Sequence, residues 1–239
     1  MEPQVFLTAE WRHLLMLNYA ILPEVLASRV PRGTELDLWQ GQALVSVVGF
    51  MFLRTRVKGV AIPFHQDFEE INLRFYVRRK AAEGQRRGVV FVKELVPRAA
   101  IALVARTLYN ENYQSVPMQH KLIEANGKVQ KVSYGWRLGG RWNHIAGDVV
   151  GGWRVPERDS EEEFITEHYW GYACQRDGGC KEYRVTHPQW RVARVASPVT
   201  DADFEQTYGS EFSAALGKKP TSAFIADGSA VEVYDGSRV

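Results

Sequence analysis

Alternating hydrophobic and polar positions in the middle of the chain indicate β-strands. In the run 43–57 both alternating sets are apolar, which predicts a strand covered on both faces. Within the run 67–80 the odd positions 71, 73, 75 and 77 are apolar, and the even positions 70, 72, 74 and 76 are polar. One face of this strand should therefore meet the core and the other should face water or a polar cavity. Its even positions are Glu70, Asn72, Arg74 and Tyr76.

The next run, Gly88 to Val96, is apolar on both faces but carries one charge on each. Strict alternation places Lys93 on the face of Val89, Phe91 and Leu95, and Glu94 on the opposite face. Pro97 is a suitable first helical residue, and the spacing predicts a helix over 99–108 that packs against the sheet.

The remaining pattern predicts further strands and a few helices. Helical spacing predicts a helix from Thr8 to Arg29 that ends or restarts at Pro23. A serine-capped turn is predicted at Ser160, and a helix over 200–216 that breaks at Gly209. Strands are predicted at 35–39, 114–124, 131–138, 142–147, 183–185, 190–195 and 222–226. Residues 227–239 read as a polar, loosely held tail.

No linker, repeat or domain boundary interrupts this order, so we expect a single domain over 1–239 of the α+β, mostly β class. The formal charge of +2 gives no global field for nucleic acid or an anionic membrane. No signal peptide or membrane span is recognisable, and we expect a cytoplasmic protein. Five basic residues cluster at one turn without interleaved aromatic residues, which favours a solvated hairpin tip over nucleic-acid binding: Arg78, Arg79, Lys80, Arg86 and Arg87.

The two cysteines, Cys174 and Cys180, flank a hairpin turn signal and match no zinc-ligand spacing. We expect two reduced structural thiols and no metal. Walker loops, G-x-G-x-x-G motifs and G-x-S-x-G elbows are all missing from the sequence, so no cofactor is predicted. The expected partner is a small molecule, and a homo-oligomer stays open.

Charged residues in apolar surroundings are the candidates for chemistry. Burial lowers the pKa of a lysine, so Lys93 is a candidate amine nucleophile that could form a Schiff base with a carbonyl compound. Alternatively, it snorkels to the rim or pairs with Glu70. Glu70 and Glu94 are candidate proton carriers. Arg74 or Arg106 could clamp a carboxylate.

Aromatic residues and one histidine would complete such a pocket by supplying walls, hydroxyl groups and a titratable ring. They are Tyr76, Tyr109, Tyr113, Tyr134, Trp136 and His168.

Several segments, in this order, resemble the YqjF-like family of uncharacterised bacterial proteins, which has the acetoacetate decarboxylase-like fold. They are TAEWRHLLMLNYAI, VPRGTELDLWQGQALVSVVGFMF, INLRFYV, GVVFVKEL, ALVAR, YGWR and HYWGY, and the resemblance covers about Leu7 to Val195. It implies a cone-shaped, largely antiparallel barrel with helices packed on it and a small-molecule pocket inside.

The decarboxylase has a reactive lysine followed directly by a second lysine, whereas here Lys93 is followed by Glu94. A carboxylate facing the same way would raise the pKa of a lysine, so the departure argues against decarboxylation. The sequence leads to two hypotheses. One is a barrel that binds a small carbonyl or carboxylate compound, with lyase-type amine or acid-base chemistry at Lys93. The other is a non-catalytic binding or sensor protein on the same fold.

Overall fold

The structure, a computed structural model, describes residues 4–100 and 110–239. Its strands are β1 (Val5–Ile21), β2 (Glu35–Leu36), β3 (Ala43–Val57), β4 (Val60–Ala61), β5 (Phe68–Ala81), β6 (Gly84–Val96), β7 (Tyr113–Ser115), β8 (Met118–Ala125), β9 (Lys128–Leu138), β10 (Arg141–Arg154), β11 (Trp170–Cys174), β12 (Cys180–Thr186), β13 (Val192–Asp201), β14 (Ser222–Tyr234) and β15 (Ser237–Arg238).

The helices of the described part are short. They are α1 (Pro23–Leu26), α2 (Glu161–Thr166), α3 (Phe204–Tyr208) and α4 (Ser210–Leu216), with a 3₁₀ turn at Ala27–Arg29. None of these described helices is long and apolar enough to cross a membrane. The chain is therefore mostly β with a few helices, which confirms the predicted fold class.

Seven of the strands close into a ring. The hydrogen-bonded order runs β1, β3, β5, β6, β11, β12 and β14, and β14 pairs with β1 again. The β6–β11 pair is parallel, and the other pairs of the ring are antiparallel. Closure gives the sheet an inner and an outer face. The local alternation of residues along a strand does not show which of its faces becomes the inner one.

The two faces of the ring have different cores. The outer face packs against β8, β9, β10 and β13, which continue the sheet from β14, and against α3 and α4. The predicted alternation of β5 is confirmed, since Leu73 and Phe75 belong to the outer core and Glu70 and Arg74 line the inside. The alternation of β3 is confirmed in the same way, with Val47 outside and Phe50 inside.

The predicted N-terminal helix is wrong. Residues 5–21 form β1, whose edges pair with both β3 and β14. Leu14 to Leu17 are four consecutive residues that are each at most 1% exposed, because both faces of β1 are covered. A continuous apolar run of this kind fits a buried strand as well as a buried helix, and tertiary pairing decides between them. Of the helix predicted over Thr8 to Arg29, only the part that restarts at Pro23 is helical, as α1 and the 3₁₀ turn after it.

A β-bulge in β6 changes the faces on which Lys93 and Glu94 lie, so the predicted faces are wrong. Leu73 pairs with Lys93 but Arg74 pairs with Phe91, so Val92 is an extra residue. The Asn112 side chain donates to the Val92 carbonyl at 2.9 Å and satisfies it. Phe91 and Glu94 therefore share the inner face, and Lys93 lies on the outer one.

Two C-terminal expectations are also corrected. The strand expected at 222–226 continues to Tyr234, because its second half pairs with the start of β1 and with β12. Residues 227–239 are therefore mostly strand, although they read as a loose tail. The helix expected over 200–216 begins only at Phe204, after the Asp203 cap, and its break at Gly209 is confirmed. The helix expected over 99–108 lies largely outside the described residues.

The basic cluster at the β5–β6 hairpin takes part in ion pairs. Arg79 and Arg86 both pair with Glu182, whose side chain is 1% exposed. Arg87 pairs with Asp37 at 2.7 Å, and Arg78 with Glu35 at 2.8 Å. Beyond the hairpin, Cys174 and Cys180 face each other across β11 and β12 as free thiols.

We predict that Gly228→Ala strongly destabilises the fold. Gly228 has a φ of +75°, and a Cβ there would lie 1.9 Å from the Trp11 carbonyl oxygen, so the β1–β14 pairing would have to shift. The expected loss is about 3 kcal/mol or more in the free energy of unfolding.

The matched control is Gly140→Ala. Gly140 has a similar φ of +82° but nothing within 4 Å of an added Cβ. The left-handed conformation alone should cost about 1 kcal/mol. Urea unfolding of both variants measures the difference, and equal losses would contradict the steric argument.

Candidate functional site

The ring encloses a cavity of about 190 Å³. Strands β1, β3, β5, β6, β12 and β14 contribute to its wall, together with α2 and the segment before β7. Apolar side chains make up most of that wall, and a group of polar ones interrupts it: Glu70, Asn72, Arg74, Glu94, Glu111 and Tyr113. A mostly apolar cavity with a few converging polar groups is typical of a small-molecule site.

Glu70 lies on the inner face of β5 and is 2% exposed. Its carboxyl accepts hydrogen bonds from Asn72 Nδ2 at 2.9 Å and from the Tyr113 hydroxyl at 3.1 Å. Burial disfavours the carboxylate, while these donors and the Arg74 charge partly offset the effect. The net result raises the pKa of Glu70 to about 7.

Glu94 reaches the same cavity because of the bulge at Val92. It is 2% exposed, and its Oε2 has no hydrogen-bond partner among the described residues. Burial, followed by the charges of Glu111 and Glu70, raises the pKa of Glu94 well above its usual value. The raised pKa favours the protonated form of Glu94, which can donate a hydrogen bond.

Glu111 is a third buried carboxyl and comes from the segment that precedes β7. The Tyr183 hydroxyl donates to its Oε1 at 3.0 Å. Burial is the main cause that raises the pKa of Glu111 to about 8, and the Glu70 charge adds to it. Three carboxyl groups thus lie close enough to influence one another, and the pKa of each is raised.

Arg74 supplies a positive charge on the same face of β5. Its Nη2 donates weakly to the Ile165 carbonyl, at 3.4 Å, and its Cζ lies 5.7 Å from the centre of the Tyr76 ring. Its Nε is buried without a hydrogen-bond partner among the described residues. A guanidinium has five N–H donors, so Arg74 retains donors for a bound carboxylate.

His168 lines the cavity behind α2 and pairs with Asp37, whose carboxylate lies 3.2 Å from the His168 Nε2. Burial dominates and lowers the pKa of His168 to about 4, although Asp37 opposes the shift. The ring is therefore neutral at pH 7. Arg87 also holds Asp37, so this pair is a fixed polar support of the wall.

Other residues predicted for the site lie elsewhere. Lys93 is on the outer face of the sheet, half-buried, and donates to the Thr207 carbonyl at 2.8 Å. Burial lowers its pKa, but it does not line the cavity. Tyr134 donates to the His13 carbonyl, and Trp136 to Thr207 Oγ1, both in the outer core.

Tyr76 also lies on the inner face of β5, but it does not line the cavity. Its hydroxyl hydrogen-bonds the Ser46 hydroxyl at 2.6 Å. Arg106 and Tyr109 lie outside the described residues.

Sequence reasoning missed Glu111 and the aromatic residues Trp11 and Trp190 of the cavity wall. Glu111 lies in a short irregular segment without periodicity, so only its nearness to Tyr113 in sequence could have suggested it. Helical spacing predicts that Trp11 lies in a helix. Its role in the wall appears only when β1 is recognised as a strand.

The arrangement places a guanidinium with unused donors near three buried carboxyls of raised pKa. Two carboxyls of different pKa can serve as base and acid for one substrate. Within the two described ranges, no group of three or more histidine, cysteine, aspartate or glutamate side chains could hold a metal ion.

Solved structures with the same fold are enzymes. MppR, an enduracididine biosynthesis enzyme solved in complex with pyruvate, superposes with a TM-score of 0.68 at 11% identity, over 100% of this chain and 91% of that one. Acetoacetate decarboxylase from Legionella pneumophila gives 0.67 at 12% identity, over 98% and 87%. An acetoacetate decarboxylase-like enzyme from Sphingomonas wittichii RW1 gives 0.64 at 12%, over 99% and 94%. At this identity the likeness establishes the acetoacetate decarboxylase-like fold.

Sequence comparison assigns the family. The uncharacterized protein YqjF of Bacillus subtilis (strain 168) is 28% identical over 192 residues, which cover 80% of this chain and 76% of YqjF. The model of the DUF2071 family, described as an uncharacterized conserved protein, matches residues 8–230. The chain therefore belongs to the DUF2071 family.

Proposed function

We propose that the protein binds a small carboxylate with an adjacent carbonyl group inside the ring and exchanges protons with it. The observation that carries the proposal is the group of three buried carboxyls, each with a raised pKa, beside an arginine with spare donors. The pyruvate complex of MppR, a protein of the same fold, supports this class of ligand.

Arg74 would hold the ligand carboxylate in this proposal. Glu70, partly ionised near pH 7, would act as the base, and Glu94 in its protonated form, which its raised pKa favours, would donate to the carbonyl oxygen. Removal of a proton from the carbon next to the carbonyl then gives an enol, and the reverse step returns a proton to that carbon. In each step one of the two carboxyls gains a proton while the other loses one, so their total charge stays the same.

An amine mechanism has less support. The Lys93 ammonium lies on the outer face of the sheet and donates to a backbone carbonyl of α3. A Schiff base with a ligand in the cavity would require Lys93 to cross the sheet. Acid-base chemistry at Glu70 and Glu94 needs no such rearrangement. A non-catalytic binding protein remains the second candidate, since it shares the cavity and the arginine.

We predict that Arg74→Met weakens pyruvate binding at least tenfold, because a charge-assisted contact contributes about 1.5–3 kcal/mol. Isothermal titration calorimetry at pH 6.5 measures the change. The control is Arg176→Met, at the exposed β11–β12 turn, which should bind like the unmodified protein. Equal binding by both variants would remove Arg74 from the proposal.

Proton exchange separates the catalytic from the non-catalytic candidate. In D₂O the protein should accelerate replacement of the pyruvate methyl protons by deuterium, which proton NMR follows directly. Glu70→Gln should slow this exchange about a hundredfold, since a positioned base contributes about 10²–10⁴-fold.

Lys93→Met is the matched control for Glu70→Gln and should keep the exchange rate. Loss of exchange in this variant would favour the amine mechanism. Pyruvate that binds without any exchange would establish the non-catalytic candidate.

The buried acids also predict how stability depends on pH. Because the pKa of Glu70 is raised above its unfolded value, the folded protein holds this proton to a higher pH than the unfolded chain does. The contribution is fully present below about pH 4.5 and is lost as pH rises to about 7, by about 3 kcal/mol.

Glu70→Gln mimics the protonated acid and should flatten this part of the stability profile. Glu24→Gln, an exposed control on α1, should leave the profile unchanged. Thermal and urea unfolding between pH 4.5 and 8 measure both variants. A Glu70→Gln profile as steep as that of the unmodified protein would show that folding does not raise the pKa of Glu70.

A further inference from the structure

Five aromatic side chains form one part of the cavity wall, which we call the aromatic wall: Trp11, Phe50, Phe52, Phe68 and Trp190. The Trp11 ring meets Phe50, Phe52 and Trp190 edge to face, with centroids 5.6, 5.7 and 6.4 Å apart. Phe52 stacks on Phe68 at 4.7 Å. These contacts fix the rings against one another and leave a rigid apolar surface towards the cavity.

The aromatic wall lies on the far side of the acids from Arg74. Phe68, Glu70, Asn72 and Arg74 occupy successive inner positions of β5, and Phe68 pairs with Phe52 while Glu70 pairs with Phe50. Directly opposite residues on paired strands lie about 5 Å apart, so the aromatic wall begins at Phe50, beside Glu70. A ligand held by its carboxylate at Arg74, with its carbonyl near Glu70, therefore points its remaining carbons towards the aromatic wall.

Within the described residues, the aromatic wall borders the cavity and is not covered by other side chains. Protein cores normally fill apolar space, because a wall that borders a gap loses its dispersion contacts. Empty apolar cavities stay dry and bind apolar groups instead of water. Short ligands such as pyruvate have no carbons to place there, so the aromatic wall would contribute nothing to their binding.

The approach to the cavity is apolar as well. Ile62 and His65, in the segment between β4 and β5, line the cavity, and Phe64 between them is 88% exposed. Together with Ile62, Phe64 gives this segment an apolar surface next to the cavity. Its position suits an entry path for an apolar molecule.

We infer that the natural ligand is an oxo carboxylate with an aryl-type apolar body, which lies against the aromatic wall while its carboxylate meets Arg74. This inference rests on the proposed function for the polar end of the ligand. The aromatic wall adds specificity for the apolar end.

Calorimetry with the protein of residues 1–239 tests the two ends of the ligand separately, with three probes: pyruvate, phenylpyruvate and phenylacetone. Phenylpyruvate should bind at least tenfold more tightly than pyruvate, because its ring is removed from water. Phenylacetone lacks the carboxylate and should bind at least tenfold more weakly than phenylpyruvate.

The outcomes distinguish the inference from the proposed function. Equal affinities for pyruvate and phenylpyruvate would overturn the aryl ligand and leave the proposed function intact. Equal affinities for phenylpyruvate and phenylacetone would overturn the carboxylate contact, and with it the proposed function. Failure of all three probes to bind would overturn both.

A variant pair localises the effect. Trp11→Leu should lower the affinity for phenylpyruvate about tenfold and change that for pyruvate by no more than about twofold. Trp142→Leu, in which the lost ring is 40% exposed on β10 and outside the cavity wall, is the control and should change neither. Unchanged phenylpyruvate binding in Trp11→Leu would contradict the aromatic wall. If Trp11→Leu does not fold, the comparison of probes on the unmodified protein still decides.

Discussion

Closure of the sheet is the constraint on which the rest of this structure depends. The parallel β6–β11 pair and the short β12–β14 pair join a run of antiparallel strands into a ring. Closure satisfies the backbone groups of strands that would otherwise be edges. It also turns one face of β5 into the wall of a cavity. Without those two pairs, Glu70 and Arg74 would face solvent, and burial would not raise the pKa of Glu70.

The buried polar groups of the inner face lower the stability of the fold. Three buried carboxyls beside one arginine are costly, and an apolar filling of similar volume would stabilise a fold more. The cost is limited because the raised pKa values favour the neutral acids, and because Glu70 and Glu111 accept hydrogen bonds from Asn72, Tyr113 and Tyr183. Groups that weaken a fold in this way are typical of functional sites.

Local patterns predicted much of the structure correctly. The faces of β3 and β5 follow directly from their alternation, and the Gly209 break and the Ser160 cap follow from their local chemistry. The pattern failed at β1, where a run buried on both faces has no periodicity that separates strand from helix. It also failed at the C-terminal end of β14, whose order comes from pairing with β1 and β12.

The sequence by itself determined that Glu70 and Arg74 share one face of a strand, since alternation is a property of the backbone. Only the tertiary structure decided that Glu94 joins them and Lys93 does not. That exchange depends on a bulge at Val92, whose carbonyl is satisfied by Asn112 from a separate segment. The acidities likewise exist only in the folded ring, because burial by distant strands raises the pKa of Glu70 and Glu111.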